Sequence, residues 1–206
     1  MKTILYSLCV IFRPVDTFYY IKHNRDRITI LPALLLIFMT LPIRVAGIFT
    51  EHFPLAYSLP EDTTIIFEAF IMLAPLLTWS VACFITTAVL EGETTYKENL
   101  TAIAYCMVPY ILLTVPFALV SNVMSLDEQI IYSMMTLLKW AWVISLVLVY
   151  IKTMNSYTFG KAVFITIISA IAVVLIWGVV FLIFMLTNQL LDFINTVILE
   201  VRMRFT

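Results

Sequence analysis

Charge is what this chain lacks most. Asp, Glu, Lys and Arg make up 12% of its 206 residues against 63% hydrophobic ones, and the mean hydropathy is +1.04. A soluble domain carries roughly 25% charged and 45–50% apolar residues, so that class is excluded and an integral membrane protein is implied, with the lipid bilayer as its first partner. A net charge of -1 leaves no basic footprint for nucleic acid. Histidine is equally scarce: His23 and His52 fall on opposite sides of the membrane in the topology below, so they form neither a metal pair nor a catalytic dyad. Three cysteines, Cys9, Cys83 and Cys106, show no CxxC spacing and read as packing residues. The four glycines, Gly47, Gly92, Gly160 and Gly178, make no GxxxG pair, which leaves close helix contacts to Ala, Ser and Thr. Neither GxSxG, HExxH nor a phosphate-cradling loop occurs, so no enzyme and no cofactor is expected. A signal peptide is not expected either. The apolar run after Lys2 stops at Arg13 and Pro14 without a small-x-small cleavage site, and Leu8 excludes a lipoprotein reading at Cys9.

What is present is hydrophobic length. A bilayer core of about 30 Å needs about 20 apolar residues per helix. Five stretches qualify: 28–49, 64–90, 100–122, 130–151 and 162–186. Each must be helical, because lipid offers an open segment's amides no other partner. The expected fold is therefore an all-α bundle of five transmembrane helices, preceded by an amphipathic, interfacial segment over 1–27 and followed by an amphipathic tail over 187–206. Between the spans lie TEHFPLAYSLPED, EGETTYKEN, SLDEQ and KTMNSYTFGK, and in the second of these Thr95 and Glu98 have capping-box spacing. Prolines at 32, 42, 75, 109 and 116 fall inside spans, and the third span, holding two of them, is the one expected to bend.

The few charges orient the bundle. Lys2, Arg13, Lys22, Arg25, Arg27, Lys97, Lys152 and Lys161 fall on one side, whereas the other side has only Arg202 and Arg204 in the tail. The expectation is a multi-pass protein of the cell membrane with a cytoplasmic N-terminus and an external C-terminus.

Arg44, Glu68 and Lys139 are the ionisable residues inside spans, where a charge costs at least about 2.5 kcal/mol at the helix centre. Arg44 and Glu68 both lie roughly 6 Å inside the external boundary at 1.5 Å per residue, so an ion pair between them is geometrically natural. Lys139, near the middle of the fourth span, is placed to reach outward toward Glu68 or to line a polar cavity. Neutralisation outweighs a transport role for these groups, because an ion pathway needs several polar groups in sequence and these spans offer few.

The stretch FRPVDTFYYIKHNR sets Phe18, Tyr19 and Tyr20 between Arg13 and the basic cluster Lys22, Arg25 and Arg27. Pro14 can open a short helix, with the aromatics at headgroup level and the cations holding the cytoplasmic end. Downstream, GETTYKENLTAIAYCMVPYIL carries Gly92, the pair Tyr96 and Lys97, and Tyr105 with Pro109. This pattern resembles the Yip (Ypt-interacting protein) domain family in its bacterial form. FRPVDTFYYIK, Trp79, Trp140 and the TFGKA of Thr158 to Ala162 support the likeness, which covers nearly the whole chain. The resemblance implies five membrane helices, a cytoplasmic N-terminus and an accessory protein that works alongside transporters. Eukaryotic members are associated with vesicle trafficking and Rab GTPases. Their longer N-terminal region and DLYGP-type motif are not found here, so a GTPase partner is not carried over. No catalytic residue is transferable.

The expected function is a scaffold or accessory protein that binds another integral membrane protein or a transporter complex. Its cytoplasmic partner surface is built from Arg13, Pro14, Phe18, Tyr19, Tyr20, Lys22, Tyr96, Lys97, Phe159 and Lys161. The competing expectation is a small transporter or channel whose path is lined by Glu68 and Lys139.

Overall fold

The computed structural model describes residues 9–24, 29–52, 55 and 63–204, with side chains described up to 196 and at 198. Among the described residues every regular element is helical. After a helical stretch at 9–12, the α-helices whose bounds lie among the described residues are α1 (Pro14–His23), α2 (Ile30–Thr50), α3 (Ile65–Val89), α4 (Tyr96–Cys106), α5 (Val108–Ser121), α6 (Gln129–Met154) and α7 (Phe159–Arg204). Five helical stretches among the described residues are long and apolar enough to cross a membrane: α2, α3, α4 with α5, the 3₁₀ turn Leu126–Glu128 with α6, and α7 from Phe159 to Thr196. The protein is an all-α membrane protein.

Chain direction alternates from span to span. One end of the bundle therefore gathers α1 with the turns after α3 and α6 (the α1 side), and the other gathers the ends of α2 and α5 with the start of α6. At that far end the His52 amide donates to Ser121 Oγ at 2.9 Å, and Asn122 Nδ2 donates to the Thr50 carbonyl at 2.8 Å, tying α2 to α5.

The third span is the centre of the bundle. From Glu98 to Cys106 every residue of α4 is buried, and α1, α2, α3 and α6 all pack on it. Its small side chains, Thr101, Ala102, Ala104 and Cys106, allow that approach. Its start is capped as the sequence predicts, with Glu98 Oε2 accepting the Thr95 amide at 2.8 Å. Ser125 and Glu128 make a second capping box, with serine in place of threonine, before α6.

Helix α4 ends and α5 begins at Met107, whose amide bonds to the Ala104 carbonyl at 3.2 Å. The cause is Pro109, which has no amide proton to return to the Tyr105 carbonyl four residues back. Pro116 leaves α5 unbroken. An apolar cavity of about 260 Å³ lies beside the break, between α3 and α6, with Trp79, Met107 and Trp140 in its wall.

Helix α2 meets α5 at Gly47, where an added Cβ would stand 2.9 Å from Thr114 Cγ2. Glycine thus serves a close crossing that the sequence reading left to Ala, Ser and Thr. Cys83 and Cys106 are buried, as packing residues should be, but Cys9 is exposed.

Candidate functional site

Two sites emerge, one on each side of the bundle. On the α1 side, Thr17, Phe18 and Ile21 form the buried stripe of α1. The Phe18 ring lies 6.0 Å from that of Tyr150 on α6. This corrects the placement of Phe18 on a partner surface. In a run of three aromatics, only the one sharing a helical face with Ile21 turns to the core. Tyr19 stays 56% exposed and stacks on His23 at 4.0 Å, while Arg13 is exposed and Pro14 and Tyr20 are half-buried.

Lys22 holds α1 to both neighbouring turns. Its Nζ lies 2.6 Å from Glu93 Oε2 and donates to Ser156 Oγ at 2.6 Å. Beneath that contact Asn155, buried at the end of α6, accepts at Oδ1 from the Glu93 amide (3.1 Å), the Thr94 amide (3.4 Å) and Thr94 Oγ1 (3.0 Å). The Tyr157 hydroxyl donates to the Leu90 carbonyl at 3.0 Å. Burial, helped by Cys83, Glu91 and Glu93, raises the Tyr157 phenol above its ordinary pKa, which keeps it a donor. Glu91 and Ser156 adopt left-handed φ angles of 62° and 54°, and these bonds support both turns in that costly region.

Gly92 explains why the two turns can meet. A Cβ there would stand 2.7 Å from Asn155 Oδ1, 2.8 Å from the Thr87 carbonyl and 2.9 Å from the Tyr157 hydroxyl. On the same side, Lys97 and Phe159 are exposed, Tyr96 is partly exposed with its ring edge-on to Phe84, and Lys161 covers the Tyr157 ring at 4.3 Å. The described members of the predicted surface, Phe18 apart, therefore share one side and sit around a hydrogen-bonded clasp. Lys2, Arg25 and Arg27 lie outside the described residues.

A buried polar chain runs inward from there. The Tyr150 hydroxyl donates to Asn99 Oδ1 at 3.1 Å, and Cys83 Sγ lies 2.8 Å from the same hydroxyl. Tyr150 has one proton, so the thiol is the donor in the second contact. Asn99 Nδ2 in turn donates to the Ser80 carbonyl at 2.8 Å. Asn155, Asn99 and Tyr150 were not singled out in the sequence. The one available signal for Asn155 was its position, a polar amide at the end of a long apolar helix.

On the far side, Arg44 Nε and Glu68 Oε2 are 2.9 Å apart, joining α2 to α3 as their matched depths predict. Lys139 does not reach Glu68, whose carboxylate is engaged by Arg44. Its Nζ lies 5.1 Å from the centroid of the Tyr110 ring and donates to Thr114 Oγ1 at 3.4 Å, a long contact. Helix α5 packs on α6 and supplies both of these contacts from Tyr110 and Thr114. Among the described residues no carboxylate lies within ion-pair distance of Lys139, although it is buried. A cavity of about 70 Å³ adjoins it, lined also by Arg44, Glu51, Tyr110, Tyr132 and Thr136. At about 10–15 Å³ for each water position, that is room for a few waters.

The Yip1 domain model matches residues 8–186. This chain belongs to the Yip1 domain family. No curated protein and no solved structure matches it. The Yip1 domain match takes in α1 to α6 and both sites, including Gly92, Asn155, Arg44 and Lys139. It stops at residue 186, whereas α7 continues to Arg204.

Proposed function

We propose that this Yip1 domain protein is a non-catalytic accessory or scaffold protein of the cell membrane, with its α1 side in the cytoplasm and its C-terminus outside. It binds another integral membrane protein, such as a subunit of a transporter complex, through that side. The clasp formed by Lys22, Glu93, Asn155 and Thr94 is the observation that carries this reading. It joins α1 and two turns into one platform, with Tyr19, Tyr96, Lys97 and Phe159 around it. A rigid surface spares a binding reaction the cost of ordering its loops. The Lys and Arg tally supports the orientation.

The test is purification in mild detergent, comparing the native chain with Lys97→Glu/Phe159→Ala. Both side chains are exposed, so the fold should hold. A stoichiometric membrane-protein partner with the native chain, reduced about 10-fold or more by the double variant, is the expected result, a loss of about 1.4 kcal/mol or more. Equal recovery with both would overturn the proposal.

A second reading is favoured by Lys139, which is buried beside a cavity with room for a few waters and, among the described residues, has no carboxylate within ion-pair distance. Such intramembrane groups mark solute or proton paths. Under that reading the purified protein in liposomes passes a small solute, and Lys139→Ala abolishes the flux while the bundle stays folded.

A further inference from the structure

Helix α7 runs for 46 residues, roughly 69 Å at 1.5 Å per residue, more than twice the hydrocarbon core. It packs against α3, where the Trp177 ring meets Phe70 edge-on at 5.6 Å and Trp177 Nε1 donates to Thr78 Oγ1 at 3.3 Å. Helix α3 is antiparallel to it and starts at Ile65, so it ends level with Leu186 or close to it. The following 18 residues, about 27 Å, extend past the bundle.

This extension is amphipathic. At 100° per residue Leu186, Leu190, Leu191, Phe193, Ile194 and Ile198 fall in one sector, and Asn188, Gln189, Asp192 and Asn195 fall opposite. The six apolar side chains are 43–65% exposed. Leu186, Leu190 and Phe193, in the middle of that sector, are the most exposed of the six, at 59–65%.

Within that sector Val179, Ile183, Leu186, Leu190 and Phe193 recur at spacings of 4, 3, 4 and 3, and the sequence continues the series at Val197. This is the heptad a/d seam, with Ile183, Leu190 and Val197 at a, and Val179, Leu186 and Phe193 at d. The seam lies about 160° around the helix from Trp177, so the packing on α3 does not occupy it. Helix α7 has no proline and, after Gly178, no glycine at which to turn sharply onto the membrane surface.

We propose that the seam is covered by the same seam of a second copy, in a parallel two-helix coiled coil that dimerises the protein outside the bilayer. Two copies inserted with the same orientation bring their α7 helices out on the same side, parallel and in register. A two-fold axis along the membrane normal then matches each seam residue with its own counterpart. β-Branched residues, Ile183 and Val197, at two of the three a positions suit two strands.

Disulfide crosslinking of the full-length protein in membranes tests this, in a Cys9→Ser background because Cys9 is exposed. Leu190→Cys, on the seam, should give a dimer band at least 10-fold stronger than Asp192→Cys, on the opposite face. Leu190→Asp/Phe193→Asp should shift the detergent-solubilised protein from dimer to monomer mass with its helical content unchanged, since neither residue is buried in the protomer. Equal crosslinking at 190 and 192, a monomeric native protein, or a spin label at 190 reporting contact with lipid tails would each overturn the proposal. Loss of the dimer in the Asp variant with the platform partner retained separates this inference from the proposed function.

Discussion

Replacing Arg44 with alanine is expected to lower stability by about 3 kcal/mol, the lower end of the cost of breaking a buried ion pair. The lower end applies because the Arg44 side chain is 34% exposed, whereas that of Glu68 is 6% exposed. Without Arg44 the Glu68 carboxylate is left charged in an apolar setting or must take up a proton. The reverse variant, Glu68→Ala, should cost less, because the long guanidinium can turn outward toward the headgroups. The double variant should be more stable than Arg44→Ala alone, since it removes the stranded charge. Thermal unfolding of all four proteins in one detergent gives the coupling energy directly. Additive losses would show that the two side chains do not interact.

Gly92→Ala should cost about 1–3 kcal/mol, the range for overpacking a tight contact. One of the three atoms that the new methyl meets is the backbone carbonyl of Thr87, and another is Asn155 Oδ1, the acceptor of three bonds. Relief by moving Asn155 would sacrifice those bonds, so the two turns should separate and α1 should loosen with them. Amide exchange over residues 91–95 should accelerate along with the fall in melting temperature. Gly160→Ala is the control: nothing lies within 4 Å of its would-be Cβ, so the effect there should be neutral or slightly stabilising. Equal melting of the two variants would remove Gly92 from its assigned role.

The all-helical membrane class was legible in the sequence because hydrophobic length is a local property. So was the Arg44 to Glu68 contact, since equal depth on adjacent antiparallel spans leaves little choice. Lys139 was not legible in the same way. Its depth fits two neighbours, and only the packing of α5 on α6 decides between them. Phe18 misled because adjacent aromatics look alike in sequence while a helix turns them 100° apart. The break at Met107 was half visible: two prolines marked the third span, but only Pro109 interrupts the helix. The polar residues after Leu186 marked the end of a span, yet they form one face of a helix that continues to Arg204.

The burial of α4 has a consequence for biosynthesis. Asn99 obtains its acceptor carbonyl from Ser80, which is made before it, but its hydroxyl partner from Tyr150, which is made about 50 residues after it. The third span therefore leaves the ribosome with a side-chain amide whose oxygen has no partner until the fourth span is in place. A nascent chain that stops short of α6 leaves that amide oxygen near the start of the third span without its Tyr150 hydroxyl. That makes the centre of the finished bundle the place where an unfinished one differs most from a stable membrane protein.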